Sequence, residues 1–353
     1  MREKLLAIAH SGLLAPSADN LHVFRIELGE TFIVLWPSSE FQRCTDNLRR
    51  VLGLISLGAV TENMRLRASE VGLQAHIRWH LDWSTKSLAR LDFRESLLPS
   101  DELAQAISRR HTNRRMYRGP SLTEDECRRL SDSNLAAAGV DLVWLHGGAR
   151  ARAMRLAWAA ESERFLRRHL HEDLFSSIRF DLGWHESANT SIPPGALEIE
   201  APMRPMFKAL GQWSLMKPMA RLGLHRLLGL RAAWLPCWQA PALGLLTTKM
   251  ELQAGAVAVG AALERLWLRA TCMGLALQPM AASVVLPLQT DTIDGASAGL
   301  KSKLVAGWQA VAPDSTPLML FRMGRAKTPT VVSGRPPLED MLISAGKTAD
   351  WTH

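Results

Sequence analysis

The sequence is poor in cysteine, and its four cysteines stand far apart in the chain. They are Cys44, Cys127, Cys237 and Cys272. No C-x-x-C pair occurs and no histidine lies at the spacing of a zinc ligand, which argues against a zinc site or a disulfide-rich scaffold. We therefore expect free thiols, no metal site and a cytoplasmic protein.

Long apolar runs are also missing. No stretch approaches the roughly 18 consecutive apolar residues that a membrane span needs. The N-terminal sequence MREKLLAIAHSGLLAPSADN is interrupted by His10 and Ser11 and has no convincing cleavage site. It is typical of a first helix rather than of a targeting signal. We expect no stable insertion into a membrane.

Several functional signatures are absent as well. No helix-turn-helix, RNP-like or zinc-finger pattern accompanies the net charge of +8, which is therefore better suited to anionic small molecules such as phosphates than to nucleic acid. No G-x-G-x-x-G opens a helix after a strand, so a Rossmann dinucleotide site is not indicated. Residues 295–299 have G-x-S-x-G spacing, but the preceding QTDTID is not the hydrophobic strand that a nucleophile elbow requires.

The sequence of one predicted helix occurs twice in this chain, with substitutions. Residues 58–73 (GAVTENMRLRASEVGL) and 260–275 (GAALERLWLRATCMGL) agree at eight of sixteen positions at a constant offset. Such a match predicts an internal duplication, the alternative being chance similarity of two helices rich in Ala, Leu and Arg. Each copy ends on a glycine, Gly72 or Gly274, that suits a left-handed helix C-cap.

The pattern around the repeats predicts two halves, residues 1–99 and 100–353. The first half has a helix over 3–14, a hairpin around Gly29-Glu30, the first repeated helix and a strand at QAHIRWHLDW. The second half has a helix at DELAQAISRR, a capping box at Ser121 or Thr123, a strand at VDLVWLH and an amphipathic helix over 149–171. It continues through the strands PALGLLTT and PLMLFRMG, which flank the second repeated helix, to a loop and a short helix.

An irregular, proline-containing segment over residues 181–235 is predicted as an insertion or lid in the second half. Its part from Phe207 to Trp234 carries five cations among Leu, Met and Trp: Lys208, Lys217, Arg221, Arg226 and Arg231. Such a basic amphipathic segment either lies on an anionic membrane or covers a site, with Gly223 and Gly229 as flexible points.

Three short stretches contain the residues best suited to bind a ligand. Ala15-Pro16-Ser17-Ala18-Asp19-Asn20 is a tight turn at a helix end, Arg109 to Arg115 (RRHTNRR) is dense in guanidinium groups, and Gly334 to Glu339 (GRPPLE) fixes one more arginine. Guanidinium groups bind phosphate oxygens bidentately, and Thr112 could complete such a phosphate site. The alternative is that the arginines are a solvated helix end.

Together these stretches resemble the flavin-dependent nitroreductase superfamily, in which APSxxNxQPW, RRSxR-like and KPRxPLEE motifs recur. The R-x-TNR stretch in mid-chain is most similar to the double-length Acg-like branch. The resemblance implies an α+β, nitroreductase-like fold. Two fused pseudo-symmetric halves, with mixed sheets surrounded by helices, would then form an intramolecular pseudo-dimer. A monomer is expected, with further oligomerisation left open.

The resemblance also implies the site. Arg110, Thr112, Asn113, Arg114 and Arg335 would bind the phosphate of FMN, and Ser17 and Asn20 would face its isoalloxazine ring or ribityl chain. No catalytic side chain is expected, since the flavin performs the redox chemistry. The family's Gln-Pro-Trp is replaced by His22-Val23-Phe24, and the second half reads NLAAAGVD where another APSxxN would stand. One FMN per chain is therefore expected.

The function that the resemblance implies is an FMN-dependent oxidoreductase acting on a small molecule. Hydride would pass through FMN between NAD(P)H or a bound organic substrate and an acceptor, in a direction that the sequence leaves open. One alternative is a flavin-binding or flavin-storage protein with a capped flavin and little turnover. Another is a structural descendant that has lost the cofactor.

Overall fold

The computed structural model describes residues 1–81, 87–131, 139–290 and 292–343. Its first part contains three helices and four strands. In chain order these are α1 (Arg2–Leu13), β1 (Phe24–Leu28), β2 (Phe32–Pro37), α2 (Ser39–Arg43), α3 (Asn47–Glu70), β3 (Leu73–Trp79) and β4 (Ala89–Glu95). The hairpin predicted around Gly29-Glu30 is confirmed, because β1 and β2 pair antiparallel with Leu28 opposite Ile33. Asp82 and Trp83, the end of the predicted strand QAHIRWHLDW, lie outside the described residues.

The rest of the chain forms the second sheet and most of the helices. Its helices are α4 (Glu124–Ser131), α5 (Gly147–Leu166), α6 (Arg168–Ser176), α7 (Arg204–Ala209), α8 (Trp213–Arg221), α9 (Leu224–Gly229), α10 (Leu235–Gln239), α11 (Leu252–Cys272), α12 (Ala282–Val285), α13 (Ala298–Gln309) and α14 (Leu338–Met341). Its strands are β5 (Val140–Trp144), β6 (Ala242–Thr248), β7 (Ala276–Pro279), β8 (Thr316–Gly324) and β9 (Leu342–Ile343). A π-helical turn, Leu230–Trp234, joins α9 to α10.

The strands form two sheets, so the predicted α+β class is confirmed. The first has the order β3-β4-β2-β1-β9 and the second has the order β5-β6-β8-β7. The second is antiparallel throughout, and every residue of β6 is buried. The first is mixed, because β9 runs parallel to β1 with Leu342 beside Ile26. The end of the described chain therefore returns to the sheet built by residues 24–95.

The repeated helices α3 and α11 pack against each other between the two sheets. The main hydrophobic core is continuous around them and combines Leu57 and Leu266 of the two helices with Leu35 of the first sheet and Phe321 of the second. Both predicted C-caps are confirmed, since Gly72 and Gly274 have φ of +71° and +70°. The two copies of the repeated sequence thus form helices that pack against each other in the main core.

Two predicted helices are shorter than expected. The helix predicted at DELAQAISRR is only a 3₁₀ turn, Glu102–Ala106, because the chain then extends and Thr112 pairs with Leu277 beside β7. The helix predicted over 149–171 breaks between α5 and α6, because Arg167 is extended with φ of −100° and ψ of 130°. In the first case a long-range pairing outweighs local helix propensity.

Three other predictions concern local motifs. The capping box before α4 is confirmed at Thr123, whose Oγ1 accepts from the Glu126 amide at 3.1 Å while the Glu126 carboxylate accepts from the Thr123 amide at 2.8 Å. Ser297 of the G-x-S-x-G stretch is the N-cap of α13 and accepts from the Leu300 amide, so it is no nucleophile elbow. Residues 204–239 form short helices, interrupted at Gly223, whose φ is +94°.

Two findings on the described residues concern membrane spans and metal sites. No helix among them has both the length and the apolar character needed to cross a membrane. They also contain no cluster of three or more His, Cys, Asp or Glu side chains that could hold a metal ion.

Candidate functional site

A cavity of about 1430 Å³ lies against the paired helices α3 and α11. Its wall combines both parts of the chain: the turn after α1, the 112–114 stretch, the C-terminal turn of α5, and the segment from Thr190 to Phe207. Ligand pockets commonly have roughly 300 to 1,000 Å³, so this cavity is large enough for a cofactor and a second molecule. Three predicted site residues line it: Ser17, Thr112 and Arg114.

The turn after α1 is held in an unusual backbone conformation. Asp19 and Asn20 both have positive φ, 53° and 58°, a conformation that Asp and Asn tolerate better than other non-glycine residues. The Asn20 side chain fixes the turn, since its Nδ2 donates to the carbonyl oxygens of Ser191 at 3.1 Å and of Ala188 and Gly334 at 3.4 Å. Asn20 is buried and is not part of the cavity wall.

Arg335 holds the same turn from the other side. Its Nη1 donates to Asn20 Oδ1 at 2.8 Å, and its Nη2 donates to the carbonyl oxygen of Ala15 at 3.1 Å. Burial and the nearby charge of Arg110 lower the pKa of Arg335 to about 10. Arg335 therefore contacts the turn, while its neighbour Pro336 lines the cavity.

Arg110 points into the protein and forms an ion pair. Its Nε lies 3.3 Å from Glu264 Oε1 on α11, and both side chains are almost fully buried. The Arg110 guanidinium also lies 4.5 Å from the centre of the Trp267 ring, and its Nη2 donates to the Leu14 carbonyl oxygen at 2.9 Å. Burial raises the pKa of Glu264 to about 7, although the charge of Arg110 opposes the rise. The charge of Arg110 thus has a counter-ion within the fold when Glu264 is ionised.

Asn113 is also turned away from the cavity. Its Nδ2 donates to the carbonyl oxygen of Lys327 at 2.9 Å, and its Oδ1 accepts from the backbone amide of Arg115 at 3.0 Å. These bonds fix the bend that places Thr112 and Arg114 at the cavity wall.

Arg114 is the cation of this stretch that faces the cavity. Its Nη1 donates to the carbonyl oxygen of Ala196 at 3.3 Å. Within the described part of the chain it has no carboxylate partner within 4 Å, whereas the adjacent Arg115 lies 3.5 Å from Glu198 and donates to Thr330. Burial lowers the pKa of Arg114, and the nearby Asp19 opposes this effect. Arg114 therefore keeps most of its donors available for an anion.

Arg164 and His22 are among the cavity residues that were not predicted as binding residues. Arg164 on α5 lies 3.2 Å from Glu161, and the charge of Asp19 also helps to raise its pKa against the effect of burial. His22 stands where the family motif has glutamine. Its buried ring nitrogens make no well-aligned hydrogen bond in the described residues, and a contact with the Leu13 backbone offsets only part of the effect of burial on its pKa. Burial, followed by the charge of Arg335, lowers the pKa of His22 to about 4. The hydroxyl of Ser17 likewise lacks a partner there.

The predicted lid contributes to the cavity wall. Met203, Met206, Phe207, Leu228 and Arg231 line the cavity from residues 181–235. Phe207 also belongs to an apolar cluster with Phe165, Phe175 and Met216, which fixes this segment to α5 and α6.

The sequence matches no protein-family model and no curated protein. Solved structures similar to it include the FMN-dependent nitroreductase NfnB from Mycobacterium smegmatis in complex with NADPH, at 19% identity over 69% of this chain and 99% of that chain, with a TM-score of 0.37. A nitroreductase with bound FMN from Desulfitobacterium hafniense has 10% identity, coverages of 69% and 98%, and a TM-score of 0.34. A BluB-like flavoprotein from Clostridium difficile has 12% identity, coverages of 69% and 99%, and a TM-score of 0.37.

Proposed function

We propose that this chain is an FMN-dependent oxidoreductase of the nitroreductase type, with one FMN bound in the cavity. It would transfer hydride between NAD(P)H, or a bound organic substrate, and a small-molecule acceptor. The observation that carries the proposal is the meeting of Ser17 with Thr112 and Arg114 in one cavity. These residues come from two motifs almost a hundred positions apart in the chain, and each motif alone resembles a flavin-binding motif.

The chemical character of the cavity wall fits FMN. The donors of Arg114 and the hydroxyl of Thr112 suit a phosphate, since charge-assisted hydrogen bonds to a phosphate are short and strong. The unpartnered Ser17 hydroxyl and His22 ring suit the polar edge of an isoalloxazine or a bound substrate. A buried polar atom without a partner costs about 1 to 3 kcal/mol, which a ligand's hydrogen bond would recover.

The other predicted site residues would position the side chains that contact the ligand. Asn20 and Arg335 hold the turn that carries Ser17, and Arg110 holds the end of α1 through Leu14. When bound, FMN would supply the redox chemistry, and the protein would bind it, orient it and exclude water. This division of roles accounts for a site without a catalytic triad or a metal cluster in the described residues.

A second candidate function is flavin binding or storage with little turnover. It is favoured by the lid, since Met203, Met206 and Phe207 line the cavity and would restrict access to a flavin bound there. Both functions require flavin binding, but only the oxidoreductase requires steady turnover.

The test compares two adjacent arginines. We expect purified protein to bind FMN, with an absorbance spectrum and a titration giving one site per chain. Arg114→Gln should weaken FMN binding about ten- to a hundredfold, the effect of losing one hydrogen bond to a charged group. Arg115→Gln should change it less than about threefold, because Arg115 is directed at Glu198 and Thr330.

Three outcomes separate the hypotheses. Steady anaerobic consumption of NADH or NADPH with a nitroarene or quinone supports the oxidoreductase and excludes a pure storage protein. FMN binding without such consumption, with either nucleotide, favours storage. Protein that takes up no FMN contradicts both and leaves a descendant that has lost the cofactor.

A further inference from the structure

The outer surface of the lid combines exposed apolar side chains with unpaired cations. We define this outer face as the exposed side chains of α8, α9 and the turn between them: Leu215, Lys217, Met219, Arg221, Leu222, Arg226 and Leu227. Leu222 and Leu227 are 80% and 64% exposed, far more than most leucines in a folded protein.

Helix α8 has apolar side chains on two sides that are roughly 100° apart around its axis. Met216 and Ala220 are buried on the side that packs in the cluster with Phe165 and Phe175. Leu215, Met219 and Leu222 follow at i, i+4 and i+7, so they form a second apolar stripe on a different side of the helix. A surface helix ordinarily has one apolar stripe, which faces the core, and polar residues on its other sides. This second stripe is exposed, which indicates that another surface covers it.

The charge around the stripe is of one sign. Between Glu200 and Glu251 the sequence has no Asp or Glu. Of the cations in the lid, Arg204 and Lys208 donate to backbone carbonyl oxygens, and Arg231 pairs with Glu200 at 2.7 Å. Lys217, Arg221 and Arg226 are exposed and have no side-chain partner within the described ranges. The missing counter-ions would have to come from the covering surface.

We infer that the outer face docks on an anionic lipid bilayer, with Leu215, Met219, Leu222 and Leu227 entering the interface and Lys217, Arg221 and Arg226 contacting anionic headgroups. Interfacial helices combine an apolar face with flanking Lys and Arg in this way. An acidic protein is less well matched, because the apolar part of the outer face is three leucines and one methionine, and leucine is under-represented among protein–protein hot spots.

The inner side of the same segment lines the cavity through Met206, Phe207 and Leu228. Docking would therefore bring the wall of the cavity close to the lipid phase. The inference itself rests on the lid alone and does not require flavin binding.

The test is co-sedimentation of the full chain with lipid vesicles, with and without added FMN. We expect little binding to phosphatidylcholine vesicles, clear binding when about a third of the lipid is phosphatidylglycerol, and weaker binding as salt is added. The combined variant Lys217→Gln, Arg221→Gln and Arg226→Gln should lower partitioning about a hundredfold, at roughly fivefold for each basic residue. The variant Leu222→Ser with Leu227→Ser should lower it at least about tenfold.

Matched variants in the first half control for total charge and exposed leucines. Arg2→Gln, Lys4→Gln and Arg94→Gln remove the same charge from exposed positions, and Leu97→Ser with Leu98→Ser removes two exposed leucines. These should bind vesicles like the unchanged protein, and circular dichroism should show all variants folded. Equal losses in the control variants, equal binding to neutral vesicles, or no binding to either lipid would overturn the inference. Binding of an acidic protein in place of the anionic vesicles would overturn it too.

Discussion

Gly58 of α3 and Gly260 of α11 each lie against the backbone of the other helix, in equivalent positions. A Cβ atom at Gly58 would overlap the carbonyl oxygen of Val257, and a Cβ atom at Gly260 would overlap the carbonyl oxygen of Ile55. Residues 55 and 257 are separated by the same 202 positions as residues 58 and 260. Reciprocal contacts between equivalent residues are what a two-fold axis produces. Helices α3 and α11 therefore contact each other through equivalent residues, as a local two-fold axis between them requires.

Because the two helices approach so closely, one methyl group added at their contact should lower the stability strongly. Gly260→Ala should lower the free energy of unfolding by about 2 kcal/mol, because the overlap is with backbone that cannot turn aside. Alanine's helix propensity recovers at most about 1 kcal/mol of the loss. Urea unfolding followed by circular dichroism measures the difference.

Gly299→Ala is the matched control for this substitution. Gly299 lies in α13, and no atom stands within 4 Å of a Cβ built there. Its replacement should leave the stability unchanged or slightly raised. Similar stabilities for the two variants would mean that α3 and α11 are not in tight backbone contact.

The sequence was sufficient to predict the elements with a strong local pattern. The β-rich runs of β1 and β2, the glycines that end α3 and α11, and the capping box at Thr123 are each specified by residues close together in the chain. Which arginine of the arginine-rich stretch faces the cavity, and which turns inward, could not be predicted from neighbouring residues. Arg110 turns inward because Glu264 lies opposite it, and Arg114 faces the cavity because Asn113 is tied to Lys327. Those partners are more than 150 residues away, and no spacing rule specifies them.

Ser17 and Asn20, neighbours in one motif, should respond differently to substitution. Ser17→Ala removes a buried hydroxyl that has no partner in the described structure, so stability without ligand should not fall. FMN affinity should fall about fivefold if that hydroxyl contacts the flavin. Titration with FMN and urea unfolding separate the two effects.

Asn20→Ala should lower stability by about 2 to 3 kcal/mol even without FMN. It removes the bonds to Ser191 and Arg335 and places alanine at a φ of +58°. Asn20→Gly keeps the backbone conformation accessible and should lose less. If Asn20→Ala changed flavin affinity alone, Asn20 would be a direct ligand rather than a positioning residue.

The buried Glu264 predicts a dependence of stability on pH. Its pKa in the folded protein is about 7, against an ordinary value of 4.5. Between these values the folded state binds more protons than the unfolded state, so this group's contribution to stability is complete below pH 4.5 and is lost as the pH rises through 7. The loss amounts to about 3 kcal/mol.

Glu264→Gln removes this titration. From about pH 5 to pH 8, its free energy of unfolding should therefore rise relative to that of the unchanged protein by up to about 3 kcal/mol. Urea unfolding at several pH values measures this difference. A difference that stays constant over this range would show that Arg110 keeps the carboxylate ionised throughout.

The titration of His22 predicts the opposite dependence of stability on pH. Its pKa in the folded protein is about 4, below the ordinary value of 6.5, so the unfolded state binds more protons between those values. The contribution of His22 is present above pH 6.5 and is lost as the pH falls through 4. Because the ring is only partly buried, we expect a loss of up to about 2 kcal/mol. The Glu264 and His22 titrations therefore oppose each other over nearly the same pH range, so single variants are needed to separate them.

His22→Gln isolates the second effect, since glutamine keeps hydrogen-bonding groups at the cavity wall and does not titrate. Relative to the unchanged protein, its free energy of unfolding should rise as the pH is lowered from about 7 to 4.5. FMN affinity should be nearly independent of this titration above about pH 5, because His22 is already neutral there. Chemical-shift titration of the imidazole provides a direct measurement. A midpoint near 6.5 would place the ring in contact with water, and it would remove His22 from the group of buried cavity residues available to a ligand.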